Sequence, residues 1–249
     1  MLSLFRRITP AAAPVASLDV THAGKRYSVA VKRSSVARRL TLRVRAGSRD
    51  VVLTMPTRSS ITVARDFVER HGAWIDARLR RLPKPVLFQP GATILFRGVE
   101  HLIVHRLSAR GTVRVEALED GGLALSVAGG LEHVPRRIAD YLKAQARKDL
   151  EASVDFYTRA IKVPARSITL RDTTSRWGSC SSTGSLNFSW RLIMAPNYVL
   201  DYLAAHEVAH LVHLNHSTRF WKLTYSLCED TEKAEAWLKA HGTGLHRFG

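Results

Sequence analysis

The chain has 249 residues, of which 45% are hydrophobic and 24% charged, a composition typical of globular proteins rather than disordered or fibrous ones. This length allows one large core or two small ones, and no apolar run approaches the roughly 20 residues of a membrane-spanning helix. The two cysteines, Cys180 and Cys228, are too few for a disulfide framework, so we expect a reducing, cytoplasmic location.

The net charge of +17 is concentrated in the first half of the chain. Residues 1–110 hold 21 Lys and Arg against 6 Asp and Glu, a net charge of +15, whereas residues 111–249 hold 17 against 15. Such an excess attracts phosphates without regard to sequence, which makes nucleic acid a candidate partner of the N-terminal half. A solubilising surface is an equally good explanation.

The N-terminal elements follow from turn residues and periodicity. Residues 1–18 contain two prolines and no acidic residue before Leu18, and we expect a flexible tail there rather than a targeting segment. Strands are predicted at 26–32 and 39–45, with 51–55 returning as the partner of the second. One amphipathic helix, capped by Ser59 or Ser60, is predicted within 57–82. Its apolar stripe comprises Val63, Phe67, Val68, Trp74, Ile75 and Leu79.

Strands and helices follow in turn along the rest of the chain, with no detectable internal repeat. Short strands are predicted at 93–96, 99–106, 112–117 and 123–127, and a second helix runs from Val134 to about Ile161. After a strand at 167–171 and a polar loop at 172–184, Leu186–Ile193 is predicted to be a strand at the sheet edge, where an extended peptide could pair. A helix opening at Pro196-Asn197 and two further helices complete the chain.

The helix after Pro196 contains His206-Glu207-Val208-Ala209-His210. Histidines four residues apart share one face of a helix, so both imidazoles can reach a single metal ion. Glu207 points to the side of that face and is free to act as general base toward a metal-activated water.

A catalytic zinc ion needs a third protein ligand and one open position. His216, ten residues after His206, supplies the third ligand if Asn215 ends the helix and lets the chain turn back. His213 is a rival for the third position because it lies on the same helical face as His206 and His210. A straight helix would place it one turn beyond the ion, so we expect it instead to support a ligand or contact substrate.

Two further alternatives stay open for the metal site. The third ligand could be a glutamate from a later helix; the available residues are Glu229, Glu232 and Glu235, with Glu235 favoured. A purely structural zinc site would have no use for Glu207 and would usually contain cysteines.

Three stretches link the chain to a known family. These are the strand Arg38–Val44, the loop Arg176-Trp177-Gly178-Ser179-Cys180, and Asn215-His216-Ser217-x-x-Phe220-Trp221. Together with the histidine motif they resemble the YgjP-like metallopeptidases, distant relatives of the SprT and WSS-type proteases. The resemblance implies that His206, His210 and His216 are metal ligands and that Glu207 is the catalytic base.

The loop before the metal helix supplies further candidates for the site. Trp177 could pack beneath the metal, and Gly178 would permit close approach of the backbone. Arg176 or a nearby histidine could steady an oxyanion or contact substrate. Cys180 is better explained as a small buried thiol than as a ligand or nucleophile.

The predicted fold class is α+β. It comprises the flexible tail (1–18), a basic β-rich region with one helix (19–130) and a helical zincin-like metallopeptidase domain (131–249). The predicted function is a metallopeptidase with one catalytic Zn²⁺ ion that hydrolyses a peptide or protein substrate. The alternatives are a nucleic-acid-associated adaptor with a vestigial metal site, a protease recruited to nucleic acid, and a zinc hydrolase acting on a non-peptide amide.

Overall fold

The computed structural model describes residues 16–45, 49–82, 84–107, 111–174 and 176–249. The described strands and helices confirm the α+β class. The chain divides into two compact units at Leu82. Most of the predicted tail lies outside the described residues, but its last three residues, 16–18, already belong to the first strand.

The N-terminal unit is a four-stranded sheet with two helices. Its elements are β1 (Ala16–His22), β2 (Lys25–Ser34), β3 (Thr41–Val44), β4 (Val51–Pro56), α1 (Ile61–Arg70) and α2 (Gly72–Arg80). The strand order is β1-β2-β4-β3, in which β2 and β4 are parallel and the outer pairs are antiparallel. The predicted pairing of β3 with β4 is therefore confirmed.

The single helix predicted within 57–82 is wrong, because the backbone leaves the helical conformation at His71. The break lies beside a tertiary contact, since a Cβ on Gly72 would lie 2.7 Å from the His22 side chain. Ser60 caps α1 as predicted, its hydroxyl accepting a hydrogen bond from the Val63 amide. The predicted apolar stripe is only partly buried, since Val63 and Trp74 are 50% and 44% exposed.

Among its described residues, the C-terminal unit contains two sheets and four α-helices. Its strands are β5 (Thr93–Phe96), β6 (Val99–Arg106), β7 (Val113–Ala117), β8 (Leu123–Ala128), β9 (Ser167–Arg171), β10 (Gly178–Cys180) and β11 (Ser185–Ser189). Its helices are α3 (Val134–Ile161), α4 (Asn197–Ala209), α5 (Thr218–Leu227) and α6 (Thr231–Leu245). Most of the described helices and strands match the elements predicted for this region. The exceptions are β10, which lies within the predicted polar loop, and the ends of β11 and α4, which come earlier than predicted.

The sheet of β5 to β8 repeats the topology of the N-terminal sheet. Its order is β5-β6-β8-β7, again with a parallel central pair and antiparallel outer pairs. The first hairpin of each sheet closes through two residues with positive φ, Ala23-Gly24 in one and Arg97-Gly98 in the other. Such turns match the twist of antiparallel strands. The structure thus contains an internal repeat that the sequence does not display.

The division at Leu82 differs from the boundary predicted between residues 130 and 131. The apolar side chains of β5 to β8 explain the difference, because Phe96 and Leu125 share one core with Ile138 and Leu142 of α3. Strands that bury their apolar face against α3 belong to the same unit as that helix.

The β5–β6 turn is anchored to the segment that leads into α4. The amides of Arg97 and Gly98 donate hydrogen bonds to the carbonyls of Ile193 and Met194 at 2.7 and 3.1 Å. The Arg97 guanidinium also donates two 2.9 Å hydrogen bonds to the Asp149 carboxylate on α3. Bidentate pairing of this kind fixes direction as well as distance, so the turn holds the start of α4 against α3.

The smaller sheet has the order β10-β11-β9. β11 therefore lies in the middle, and the prediction that Leu186–Ile193 forms the sheet edge is wrong. The strand also ends at Ser189, where a 3₁₀ helix begins that spans Trp190–Met194. Buried apolar side chains on both segments made them look continuous in the sequence.

Within the described ranges, we find no helix whose length and apolarity would let it cross a membrane.

Replacing Gly98 should test the anchoring of the turn. Its φ is +81°, and an added Cβ would lie 2.9 Å from the Cα of Pro196, so Gly98→Ala combines backbone strain with a backbone clash. We expect a loss of about 2–4 kcal/mol in the free energy of unfolding, measured by urea denaturation. Gly121→Ala is the matched control, because Gly121 has φ +83° with open space around it and should cost only about 1 kcal/mol. Equal losses in the two variants would contradict the anchoring.

Candidate metal centre

Two of the three predicted ligands are carried by α4, which is buried along most of its length. His206 lies in its last turn and His210 is its C-cap. The prediction that the helix continues to Asn215 is wrong, since the turn after His210 is closed by hydrogen bonds from residues 211–213 to the carbonyls of Val208 and Ala209. His216 lies in the loop between α4 and α5.

The three histidines converge on one point. Their potential ligand nitrogens all lie within 4.8 Å of one another. The Nε2 atoms of His206 and His216 are 3.2 Å apart. Two nitrogens at about 2.0–2.1 Å from one ion in tetrahedral geometry are separated by about 3.3 Å. The separation between His206 and His216 therefore matches two ligands of one tetrahedral metal ion, and the ligand nitrogen of His210 lies within 4.8 Å of both.

Hydrogen bonds direct the imidazoles toward that point. Tyr202 donates its hydroxyl hydrogen to the Glu235 carboxylate at 2.9 Å, so the same oxygen can accept from Nδ1 of His206 at 3.2 Å. Nδ1 of His210 donates to the backbone carbonyl of His213 at 2.9 Å. In each ring the Nδ1 atom carries the proton, which leaves the Nε2 lone pair available to a metal.

An aromatic side chain from α5, Phe220, packs against all three imidazoles. Phe220 is fully buried; its ring stacks on His210 at 4.4 Å and meets His206 and His216 edge-on at 4.9 and 4.8 Å. Ser217 caps α5 and its hydroxyl accepts from the Phe220 amide, which fixes where this ring enters the site. Rings packed in this way restrict rotation of the imidazoles.

Burial keeps the helical histidines neutral. Desolvation, with smaller contributions from His210 and His216, lowers the pKa of His206 to about 4. Desolvation also lowers the pKa of His210. Because only the neutral imidazole binds a metal, both side chains are ready to coordinate at neutral pH.

Glu207 is buried beside the histidines with an unsatisfied oxygen. Its side chain is 4% exposed, and its Oε2 atom has no hydrogen-bond partner among the described residues. Desolvation raises the pKa of Glu207 to about 8, which the nearby charge of Arg176 partly opposes. A buried carboxylate without a partner is costly, and so it points to a group that arrives from outside the chain.

Gly178 makes room for this carboxylate. A Cβ at Gly178 would lie 2.7 Å from Cγ of Glu207, so no other residue fits without moving the glutamate. Gly178 begins β10, an edge strand of the small sheet. The strand and the carboxylate therefore lie directly against each other.

The remaining residues predicted in the loop surround the site. Trp177 lines a cavity of about 310 Å³ with His206 and Glu207, and its ring stacks on His246 at 4.9 Å rather than beneath the metal position. Arg176 lines an adjoining cavity of about 360 Å³ that also contains Gly178. Desolvation and the nearby Glu207 raise the pKa of Cys180, which keeps its thiol protonated.

The alternative ligands do not join the three histidines. Among the described residues, the group able to hold a metal contains none of Glu229, Glu232 and Glu235. Glu235 instead accepts the hydrogen bond from Tyr202. His213 contributes its carbonyl rather than its ring, because the helix has already ended.

Sequence reasoning missed Tyr202. The available signal was its spacing of four residues before His206, which places both on one face of the helix. Because Tyr202 is surrounded mostly by apolar residues in the sequence, it could not be distinguished from a tyrosine that simply packs in the hydrophobic core.

The site combines two histidines on a buried helix, a third histidine from the next loop and a carboxylate beside them whose Oε2 atom has no partner among the described residues. This arrangement is typical of metal-dependent hydrolases. Comparison with protein families gives a narrower assignment. The family model described as YgjP-like, metallopeptidase domain, matches residues 38–241. The chain therefore belongs to the YgjP-like family, and it is assigned as a metal-dependent peptidase.

A comparison with solved structures finds similarity to the crystal structure of the metallopeptidase zymogen of Pyrococcus abyssi abylysin. Sequence identity is 16%, the match covers 36% of this chain and 92% of that chain, and the TM-score is 0.34. No curated protein matches the chain.

Removing the Tyr202 hydroxyl should weaken metal binding without removing a ligand. Tyr202→Phe frees His206 to rotate and leaves Glu235 without its donor, and the absence of such supporting hydrogen bonds lowers metal affinity about 10- to 100-fold. Competitive titration of the metal against a chelator measures this change. Tyr198→Phe removes a hydroxyl from the same helix, two turns before the histidines, and should leave the affinity unchanged. Equal affinities in the two variants would contradict the orienting role.

Proposed function

We propose that the chain is a zinc-dependent peptidase in which His206, His210 and His216 hold one zinc ion and Glu207 is the general base. One observation carries the proposal: three imidazole donors within 4.8 Å of one another lie beside a buried carboxylate whose Oε2 atom lacks a partner among the described residues. The family assignment supports peptidase chemistry, and the donor set supports the choice of metal.

The proposed metal is zinc because the donors are three neutral imidazoles. Three protein ligands with one position left for water are typical of catalytic zinc sites. Neither cysteine belongs to the group, which argues against a purely structural site. When bound, zinc would polarise the scissile carbonyl and lower the pKa of water in the site toward neutrality.

Glu207 is proposed to move the proton. Its carboxylate would take a proton from the attacking water and pass it to the leaving amine. Burial favours the protonated form, so the carboxyl group holds the proton between the two transfers. A cation held by the three imidazoles favours the carboxylate form that begins the cycle.

The proposed substrate is an extended peptide pairing with β10. This strand is at the edge of its sheet, and in the described structure its other side pairs with no strand. A peptide added to that edge would lie against Gly178 and hence beside Glu207. Arg176 lines the adjoining cavity and interacts electrostatically with Glu207, so it is our candidate for contacting substrate or steadying an oxyanion.

A nucleic-acid adaptor with a vestigial metal site is the weaker alternative. Such a protein would have no need to keep Glu207 buried beside the histidines, where desolvation disfavours its charged form. A zinc hydrolase of non-peptide amides is the better description if metal-loaded protein cleaves such amides but no peptide.

Glu207→Gln should retain zinc and lose hydrolysis. The amide has the same shape but cannot accept the proton, and general-base catalysis contributes about 10²- to 10⁴-fold. The rate of cleavage of a fluorogenic peptide library and the zinc content are measured on the same sample. Gly178→Ala should also slow cleavage with zinc retained, because its methyl group displaces the carboxylate. Glu232→Gln, at an exposed position on α6, is the control. Full activity of Glu207→Gln would exclude the mechanism.

Metal content should distinguish His216 from Glu235 as the third ligand. We expect His216→Ala to lose stoichiometric zinc, because one of three donors is removed. Glu235→Ala should keep the ion with reduced affinity, since its carboxylate acts through Tyr202. Elemental analysis after dialysis checks both. Zinc retained in the first variant and absent from the second would show that the third ligand is wrong. Another metal supporting the highest activity would replace zinc in the proposal.

A further inference from the structure

A pocket in the N-terminal unit combines an exposed indole with arginines. It lies between the edge strand β3 and helix α2 and has a volume of about 390 Å³. Its lining residues are Leu42, Arg43, Val44, Trp74, Ala77, Arg78 and Arg81. All of them belong to one unit, remote in sequence from the histidine cluster. The volume lies within the range typical of small-ligand sites.

Trp74 is not part of the core that its helix covers. Its neighbour Ile75 is fully buried and Leu79 packs on the same core, whereas 44% of Trp74 is exposed. Within the described ranges, its indole contacts no other aromatic ring, and no cationic side chain lies over its face. A large aromatic face is therefore presented to the pocket, where it is available to stack on a planar ligand.

The pocket's three arginines are free to bind an anion. Arg43 is on β3, Arg78 is in the last turn of α2 and Arg81 is its C-cap. None of them forms an ion pair in the part of the chain that the structure describes, unlike Arg80, which pairs with Asp76. Residues 16–45 and 49–82 contain 15 Lys and Arg but only 5 Asp and Glu, so little negative charge is available to neutralise them.

We infer that this pocket binds single-stranded nucleic acid, with a base stacked on Trp74 and flanking phosphates held by Arg43, Arg78 and Arg81. Single strands alternate planar bases with anionic phosphates, and binding sites for them combine aromatic faces with a positively charged groove. A duplex hides the faces of its bases in the stack. An acidic peptide would satisfy the arginines but leave the indole face without a partner.

The test is binding of full-length protein to fluorescently labelled oligothymidylate and oligouridylate, followed by anisotropy. Trp74→Ala should weaken binding by about 5- to 150-fold, because stacking on an aromatic residue contributes about 1–3 kcal/mol per base. Trp74→Phe keeps an aromatic face and should recover part of the affinity. Phe156→Ala removes an aromatic side chain that is 67% exposed on α3 and should have no effect.

The arginines are tested by salt dependence. Replacing Arg78 or Arg81 with Ala should lower the slope of log affinity against log salt by about 0.7 for each phosphate of a single strand that the variant no longer binds. Arg58→Ala removes the same charge from an exposed position outside the pocket and should change the slope less.

Three results would overturn the inference. Trp74→Ala could bind as tightly as the Phe156→Ala control, which would reduce the interaction to general charge attraction. A duplex of equal length, or a polyglutamate peptide, could bind more tightly than the single strand. Absence of binding at low salt would also exclude the site. The assay needs neither metal nor hydrolysis, so its outcome is independent of the proposed peptidase activity.

Discussion

His206 and Glu207 are carried into the protein interior by a helix that is buried along most of its length, and polar groups in such a place are costly unless each has a partner. Nδ1 of His206 donates a hydrogen bond to the Tyr202 hydroxyl, which in turn donates to the Glu235 carboxylate. Its other nitrogen faces His216, and one oxygen of Glu207 faces no donor among the described residues. These unsatisfied nitrogen and oxygen atoms lie at one point, and for that reason we propose the same place as the metal and substrate site.

Neighbouring elements hold that helix and its histidines in position. The β5–β6 turn anchors the segment before α4, and Phe220 supports the imidazoles from the other side. The two four-stranded sheets share one topology and one type of hairpin turn, yet their surroundings differ. One sheet buries its apolar face in the core of α3, whereas the other belongs to a unit whose exposed Trp74 leaves a basic pocket open. The same architecture thus supports a scaffold in one unit and a candidate binding surface in the other.

Local patterns predicted most elements because their causes are local. The limits of α3 and of the β5–β8 strands followed from periodicity and turn residues, and Ser60 followed from capping chemistry. The errors arose where distant residues intervene. The helix predicted within 57–82 is interrupted beside Gly72, which lies against His22. The two units divide at Leu82 rather than after residue 130, because β5 to β8 pack on α3. The pattern of residues within a short stretch of sequence carries no information about contacts between distant segments.

The sequence by itself determined the chemistry of the centre: two histidines at helical spacing, a glutamate beside them and a third histidine within reach. Those features depend on the 100° turn per residue of a helix and on the ligand preferences of metals, which are properties of short segments. Only the tertiary structure decided that Glu235 accepts a hydrogen bond from Tyr202, that Gly178 accommodates Glu207, and that β10 rather than β11 is an edge strand. These relations join residues that are far apart in the chain, and burial and close packing alone select them.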